Sequence, residues 1–544
     1  MHLLEMIIRT FLFLIGLVLK PLLKIIFNVI YGGSNSEKVS KIRQPLCLHS
    51  ATRLAKMIRN KEVKAVDVMQ AYIDRAKEIN PIVNAIIAER YNEALKEAQK
   101  VDDILDRKEG QGKYSAVNAP FLGVPFSVKE AFGVKGMPHA SGLVIRKNVI
   151  AEEDAEVVKR LKEAGAIPFI ITNVSELCMW YESANRLYGR TKNAYNTGRI
   201  VGGSSGGEGC VISAGASIMG IGSDIGGSIR MPAFFNGIFG HRPSKELSDS
   251  CKTSFLKYLN EFITGLVPNE GQYPIADGTD ADLLSTGPMC RYSEDLLPLL
   301  KVYAGAKSSE ANLDQQVDVR KLKFYYMEDD GGSMLVSNVD QELKDAQIKA
   351  VEYLKNNLGV CVEKVNIHQL KFSVQIWSAK MLAGGGTSFC EYMADKKGKV
   401  NAFKEFAKWI VGQSNHTIPA IGLGMAENFN GMSDQQTQMF MQMGDKLDEE
   451  FQSILGNDGV FLYPSHPKIA PYHNEPIFYP FNFAYTGIFN ALGYPVTQVP
   501  LGLSKDGLPL GMQVVSTMNN DRLTIAVACE LERYKGWTEP DSSL

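Results

Sequence analysis

Residues Gly202 to Gly207 read GGSSGG, and Asp224 to Arg230 read DIGGSIR. These two runs constrain the fold more than any other feature of the chain. Glycine at this density costs conformational entropy and packs nothing, so a linker would carry it between polar flanks. The flanks here are the opposite: EGCVISAGASIMGIGS joins the runs and MPAFFNGIFG follows the second. Both runs therefore belong to a folded core, where glycine lets backbones approach closely and adopt dihedrals other residues avoid. Serines on such backbone, with peptide N–H groups converging nearby, suit acyl-transfer chemistry.

The rest of the chain supplies the core that these runs require. Its 544 residues are 45% hydrophobic and 22% charged, with no low-complexity linker or repeat dividing them. Apolar spacing of three and four predicts helices over Thr52–Arg59, Val66–Asn80 and Tyr91–Leu105. FLGVPFSVKE, Phe121–Glu130, alternates as a strand does. DAEVVKRLKEAGA, Asp154–Ala166, with an Asp cap, reads as a helix running into the strand-like IPFIIT, Ile167–Thr172. Further strands are expected at Val460–Tyr463, Pro495–Pro500 and Met512–Val515, with mostly helical sequence between Asp340 and Glu450. The expectation is an α/β fold: one large domain with a twisted mixed sheet covered by helices on both faces.

Several function classes fall away. A net charge of −2 and the lack of a basic, aromatic-interleaved stripe exclude nucleic acid as partner. Eight cysteines scattered from Cys47 to Cys529 without a C-x-x-C pair indicate neither a zinc site nor a disulfide framework. Asn173 and Asn415 open glycosylation sequons, but Asn173 ends an apolar run expected to be buried.

The N-terminus differs from the rest. Residues 1–31 form an apolar segment interrupted by Glu5, Arg9, Lys20, Lys24 and Pro21, and no alanine precedes Ala51 to offer a signal-cleavage site. Only Thr10–Leu19 is free of charge, short of the roughly 20 residues that a simple span needs. The charges fall within an arc of about 100° on a helical wheel, which favours an in-plane or shallow membrane helix over a span. A buried amphipathic helix is the rival. Residues 32–49 read as a tether, and 50–544 as the main domain.

Three readings compete at the glycine-serine runs. Neither G-x-x-x-x-G-K-[ST] nor G-x-G-x-x-G fits, which sets a phosphate loop aside. Gly202–Gly206 formally satisfies G-x-S-x-G, with His466 or His473 as late histidines, but that reading leaves DIGGSIR unexplained. The third joins Lys129, at the end of FSVK, with Ser204 and Ser228.

Lys129, Ser204 and Ser228 lie 75 and 24 residues apart. With IVGGSSGGEG, GSDIGGSIRMPA, NALGYPVTQVPLG and GLPLGMQ they resemble the amidase signature family, from about Ser50 to the C-terminus. Within it, SVKEAFG, SELCMWYES, FLYPSHP, FNFAYTG and the apolar N-terminus are most similar to the membrane-bound fatty-acid amide hydrolases, the type-2 branch in particular. The resemblance implies a triad of Lys129 as base, Ser204 after a cis peptide bond as relay and Ser228 as nucleophile. It implies an oxyanion hole from the N–H groups of Ile225, Gly226, Gly227 and Ser228, and support from Ser205, Asp224 and Arg230.

Met179, Trp180 and Tyr181 are candidates for an acyl-chain site, with core packing the alternative, and Glu130 is expected to be a structural carboxylate. No metal or cofactor is implied. The expected partners are a lipid amide and a membrane, with room for a homodimer, and the expected location is an intracellular membrane such as the endoplasmic reticulum or a lipid droplet. Alternatives are an amidase for small soluble amides or esters, an ammonia-delivering amidotransferase subunit, and a non-catalytic lipid-binding relative. One departure from the family pattern is an inserted stretch, Lys245 to Thr264, which bears on substrate access.

Overall fold

The computed structural model describes residues 22–23, 25–33, 36–107, 112–245, 265–278, 280–428 and 432–540. The segment Leu3–Leu19 and residues 246–264 of the inserted stretch lie outside the described residues.

Thirteen strands are described, in chain order β1 (Ile86–Glu89), β2 (Pro125–Lys129), β3 (Ile167–Thr172), β4 (Ala184–Asn185), β5 (Gly189–Arg190), β6 (Met219–Asp224), β7 (Phe239–Arg242), β8 (Ser285–Cys290), β9 (Lys323–Tyr326), β10 (Val362–Lys364), β11 (Gly459–Tyr463), β12 (Val496–Leu503) and β13 (Pro509–Val515). Eleven of them make one sheet in the order β1-β3-β2-β6-β8-β7-β12-β13-β11-β9-β10, while β4 and β5 pair apart. The sheet is mixed: β2 runs parallel to β3 and β6, β9 is parallel to β10 and β11, and the strands between β6 and β11 pair antiparallel. Successive residues of β2, β3, β6, β8, β11 and β13 are all buried. Neighbouring side chains on a strand point to opposite faces, so both faces of the sheet are covered.

Helices α1 (Ala51–Arg59), α2 (Ala65–Val83) and α3 (Tyr91–Asp106) form where the apolar spacing predicts them. Ser50 caps α1 by accepting from the Arg53 amide. The helix predicted from Asp154 is shorter, α4 (Glu156–Glu163), because the Asp154 carboxylate accepts from the Lys135 amide and the Lys162 ammonium instead of capping. Between β3 and β6 lies α5 (Gly206–Ser213), and after β6 comes α6 (Arg230–Phe235), so each glycine-serine run opens a buried helix. Farther along, α7 (Leu296–Ala304), α8 (Gln341–Tyr353), α9 (Ser373–Leu382), α10 (Ala402–Ile410), α11 (Asp434–Leu455), α12 (Ala484–Leu492) and α13 (Asp521–Tyr534) complete the covering layers.

Where described, the stretch read as a tether lies against the body. Val39 is fully buried and its amide donates to Ala194 O, the Glu37 amide donates to Thr197 Oγ1, and the Arg75 guanidinium holds Ser40 O. The helical residues 25–31 dock as well: Phe27 packs edge-on to Phe478, Tyr31 edge-on to His473, and Asn474 Nδ2 donates to Tyr31 Oη at 2.8 Å. No helix among the described residues is long and apolar enough to cross a membrane.

Candidate active site

Lys129 ends β2, and its side chain is wholly shielded from solvent. Nζ lies 2.7 Å from Ser204 Oγ and 2.9 Å from Ser223 Oγ. Burial lowers its pKa, with the Cys178 thiol, Asp224 and Glu208 acting the other way. An amine so placed can lose its proton and act as a base, which an exposed lysine does not do at neutral pH.

The peptide between Gly203 and Ser204 is cis, as the resemblance implies. Gly203 is there because of crowding: a Cβ would stand 2.3 Å from Trp180 O. Ser228 sits on the second run and is 8% exposed, against 1% for Ser204 and 0% for Lys129. Exposure thus rises from Lys129 through Ser204 to Ser228, and the nucleophile candidate is the one nearest to solvent. The Ser205 amide donates to Ser228 O at 3.2 Å and ties the two runs together. Among the described residues no hydrogen bond joins the Ser204 and Ser228 hydroxyls; such contacts are commonly long without substrate and tighten in the complex.

Asp224 and Arg230 shape the second run. Arg230 donates through Nε to Asp224 Oδ2 at 3.0 Å and through Nη2 to Oδ1 at 2.9 Å, with both side chains fully buried. Arg230, with its Coulombic pull and hydrogen bonds, and Asn490 outweigh burial and hold the Asp224 carboxyl far below its ordinary value. The same carboxylate accepts from the amides of Gly227 at 2.6 Å and Ile229 at 3.1 Å. The Gly227 N–H, expected to be one of four oxyanion donors, is thus engaged by Asp224. Gly227 has φ +125°, and a Cβ would meet Thr486 Oγ1 at 2.1 Å. Thr486 Oγ1 donates to Gly226 O and Trp377 Nε1 to Ile225 O, bracing the loop from α12 and α9.

Ser205 Oγ donates to Ser223 O at 3.4 Å. Glu130 accepts from the amides of Ala140 and Gly142, and burial pushes its carboxyl up to about 7. Met179 and Trp180 line a cavity of about 290 Å³ with Trp409, Ile418 and Pro419. Tyr181 is not among its lining residues: buried between Trp180 and His466, it donates its hydroxyl to Tyr479 O. Neither histidine reaches the serines. His466 packs against Tyr181 and Phe235, where burial pulls its pKa down to about 3, and His473 is held between Glu182 and Thr197 O. Asn173 is fully buried beside Thr191.

Sequence reasoning missed three residues at this site. Ser223 contacts the lysine directly, and its place just before Asp224 was the available signal. Cys178 lies at φ +58° in the turn after β3, where burial raises its thiol pKa and Lys129 pulls it back. Glu208, the residue that follows the first run, accepts from Ser127 and Thr172 beside the lysine.

Comparison with known proteins gives the family of the chain. The family model described as "Amidase" matches residues 67–525. "Fatty-acid amide hydrolase 2" of Homo sapiens is 50% identical over 535 residues, 97% of this chain and 96% of that protein. "Fatty-acid amide hydrolase 2-A" of Danio rerio is 49% identical over 509 residues, 92% of each. The solved structure of "Fatty acid amide hydrolase" superposes with a TM-score of 0.69 at 22% identity, over 92% of this chain and 87% of that one. With a family match across most of its length and a near-full-length relative at half identity, the chain belongs to the amidase signature family.

Proposed function

We infer that this protein is a serine hydrolase that cleaves the amide bond of fatty-acid primary amides and N-acyl amines. The observation that carries the chemistry is the buried Lys129 Nζ at 2.7 Å from Ser204 Oγ, behind Ser228. The substrate class comes from the names of the relatives at 49–50% identity.

Ser228 Oγ attacks the amide carbon as its proton passes to Ser204 Oγ and the Ser204 proton passes to Lys129 Nζ. The developing oxyanion accepts from the free N–H groups of the 225–228 loop, each such donor typically worth a factor of about 10² to 10³ in rate. Collapse breaks the C–N bond, and the amine leaves with the proton returned from Lys129 through Ser204. Water then attacks the acyl-enzyme, using the same groups. The purified protein is expected to release ammonia from long-chain primary amides faster than from acetamide or glutamine, measured across an acyl series. Preference for glutamine would favour an ammonia-delivering amidotransferase subunit and overturn this reading.

The protein works at a membrane surface in this proposal. Supporting it are the apolar sequence of residues 1–31 and two exposed apolar faces: Leu22, Ile25, Ile26 and Val29 on the docked N-terminal segment, and Phe406, Ile410 and Val411 at the end of α10. Both faces adjoin the cavity lined by Met179 and Trp180, through Asn474 beside Tyr31 and through Trp409. Deleting residues 1–21 is expected to weaken vesicle binding and turnover of bilayer-dissolved amides while sparing a short soluble amide. Deleting residues 1–31 also removes Phe27 and Tyr31 from their contacts and should lower stability by about 2 kcal/mol. Equal vesicle binding by all three forms would sink the membrane role of this segment.

A further inference from the structure

Glu208 is a fully buried acid with no ion-pair partner within salt-bridge distance among the described residues, whereas Asp224 has Arg230. It stands on α5, four residues past Ser204. Its Oε2 accepts from Ser127 Oγ at 2.6 Å and its Oε1 from Thr172 Oγ1 at 2.7 Å. Ser127 precedes Lys129 by two residues on β2, so their side chains share a face. Thr172 is the register partner of Lys129 on β3. The two hydrogen bonds therefore fasten the carboxylate to the face of the sheet from which the lysine rises. Space for it exists because residue 220 is glycine: a Cβ there would lie 1.7 Å from Oε2. Ser127, Lys129, Thr172 and Glu208 are all shielded from solvent.

We propose that Glu208 is a positioning residue for the base: its carboxylate supplies the negative charge that stabilises the ammonium Lys129 becomes on receiving the serine proton. The proposal rests on the Lys129–Ser204–Ser228 reading. In the acylation step the Ser228 O–H and Ser204 O–H bonds break, a new O–H forms on Ser204 and a new N–H on Lys129, and the serine oxygen's electron pair forms the bond to carbon. One positive charge appears in a site without water, where its cost is high unless a counter-charge lies close.

Cys178 and Asp224 also pull on the lysine, but each has a competing tie. Asp224, from β6, is neutralised by Arg230, and burial keeps the Cys178 thiol protonated against the opposing pull of Lys129. Tyr303, from α7, faces Glu208 and is held as a neutral phenol by burial, while Glu130 acts on Cys178. Glu208 itself is pushed up to about 7 by burial, against its two hydrogen bonds and Lys129. Its charge therefore changes near neutral pH.

The test is kcat and KM for a long-chain primary amide from about pH 5 to about pH 10, in wild type, Glu208→Gln and Ser127→Ala. In Glu208→Gln the ammonium loses its counter-charge, so the lysine is deprotonated at lower pH. The acid limb of kcat/KM moves down by about one pH unit. At the alkaline plateau kcat falls about tenfold with KM unchanged. Ser127→Ala removes a hydrogen bond that favours the carboxylate and moves the limb the same way by less. A merely structural role would lower activity evenly at every pH; an unmoved limb in folded Glu208→Gln overturns the proposal. If that variant does not fold, an unmoved limb in Ser127→Ala does so instead. Wild-type protein that releases no ammonia at any pH would overturn the proposed hydrolysis of fatty-acid amides, a result distinct from these.

Discussion

Lys129→Ala is expected to lower amide hydrolysis by about 10²- to 10⁴-fold at neutral pH, the usual worth of a positioned general base. Ser228→Ala should abolish both turnover and covalent labelling by a fluorophosphonate. The two differ in what survives. Lys129 is wholly shielded from solvent and contacts Ser204, so its removal should depress kcat and leave KM near the wild-type value. Labelling of Ser228 in Lys129→Ala should persist but slow, because the hydroxyl is present and lacks only its base. The sign of the pH dependence follows from burial, which lowers the lysine pKa. The neutral amine accepts the proton, so activity rises as pH climbs through the lysine's titration and falls below it. His466→Ala and His473→Ala should keep a working enzyme, since one histidine is packed between aromatic rings and the other is held by Glu182 and Thr197. Near-normal turnover of Lys129→Ala at neutral pH would exclude the lysine mechanism, and labelling of Ser228→Ala equal to wild type would exclude the nucleophile.

How much of this was legible in the sequence depended on what each residue does locally. Helices α1 to α3 and strand β3 were readable because one periodic apolar pattern decides each of them. Strand β6, MGIGSD, was not, because its two glycines read as loop. In the fold they are forced by neighbours: a Cβ at Gly220 would strike Glu208, and one at Gly222 would lie 2.8 Å from Ile229. Tertiary crowding, which a local pattern does not encode, overrode strand propensity there. Strands β7 and β8 were missed for a related reason, since each is fully buried and neither alternates.

At the site, Lys129, Ser204 and Ser228 were legible only as a constellation, since a single lysine at the end of a strand is ordinarily exposed. Gly227 illustrates the limit. Its place in the loop was evident, but the direction of its N–H follows from Asp224, whose carboxylate reaches three residues ahead to accept it at 2.6 Å. Tyr181 was grouped with Met179 and Trp180 by adjacency alone. Met179 and Trp180 do line one cavity, whereas the Tyr181 ring turns inward to His466 and its hydroxyl to Tyr479 O.

Asp224→Asn should lower the free energy of unfolding by about 3–5 kcal/mol at pH 7, the typical cost of breaking a buried ion pair from one side. The substitution leaves Arg230 charged in a fully buried position and sets an amide NH₂ where Gly227 N–H, Ile229 N–H and two guanidinium bonds all require an acceptor. Urea unfolding of wild type and variant reads the difference in midpoint. Its pH dependence has a definite sign. The folded pKa of Asp224 is depressed from its ordinary 3.8, so its contribution is fully present above that value and is lost only as pH falls through the folded one. The gap between wild type and variant should therefore be constant from neutral pH down to the ordinary carboxylate range and close only in stronger acid. The same variant should also slow the labelling of Ser228, because the carboxylate that balances Arg230 also sets the turn on which the nucleophile and the remaining oxyanion donors stand. A variant as stable as wild type at pH 7 would show that the pair contributes no net stability, and unchanged labelling would show that the turn holds its shape without it.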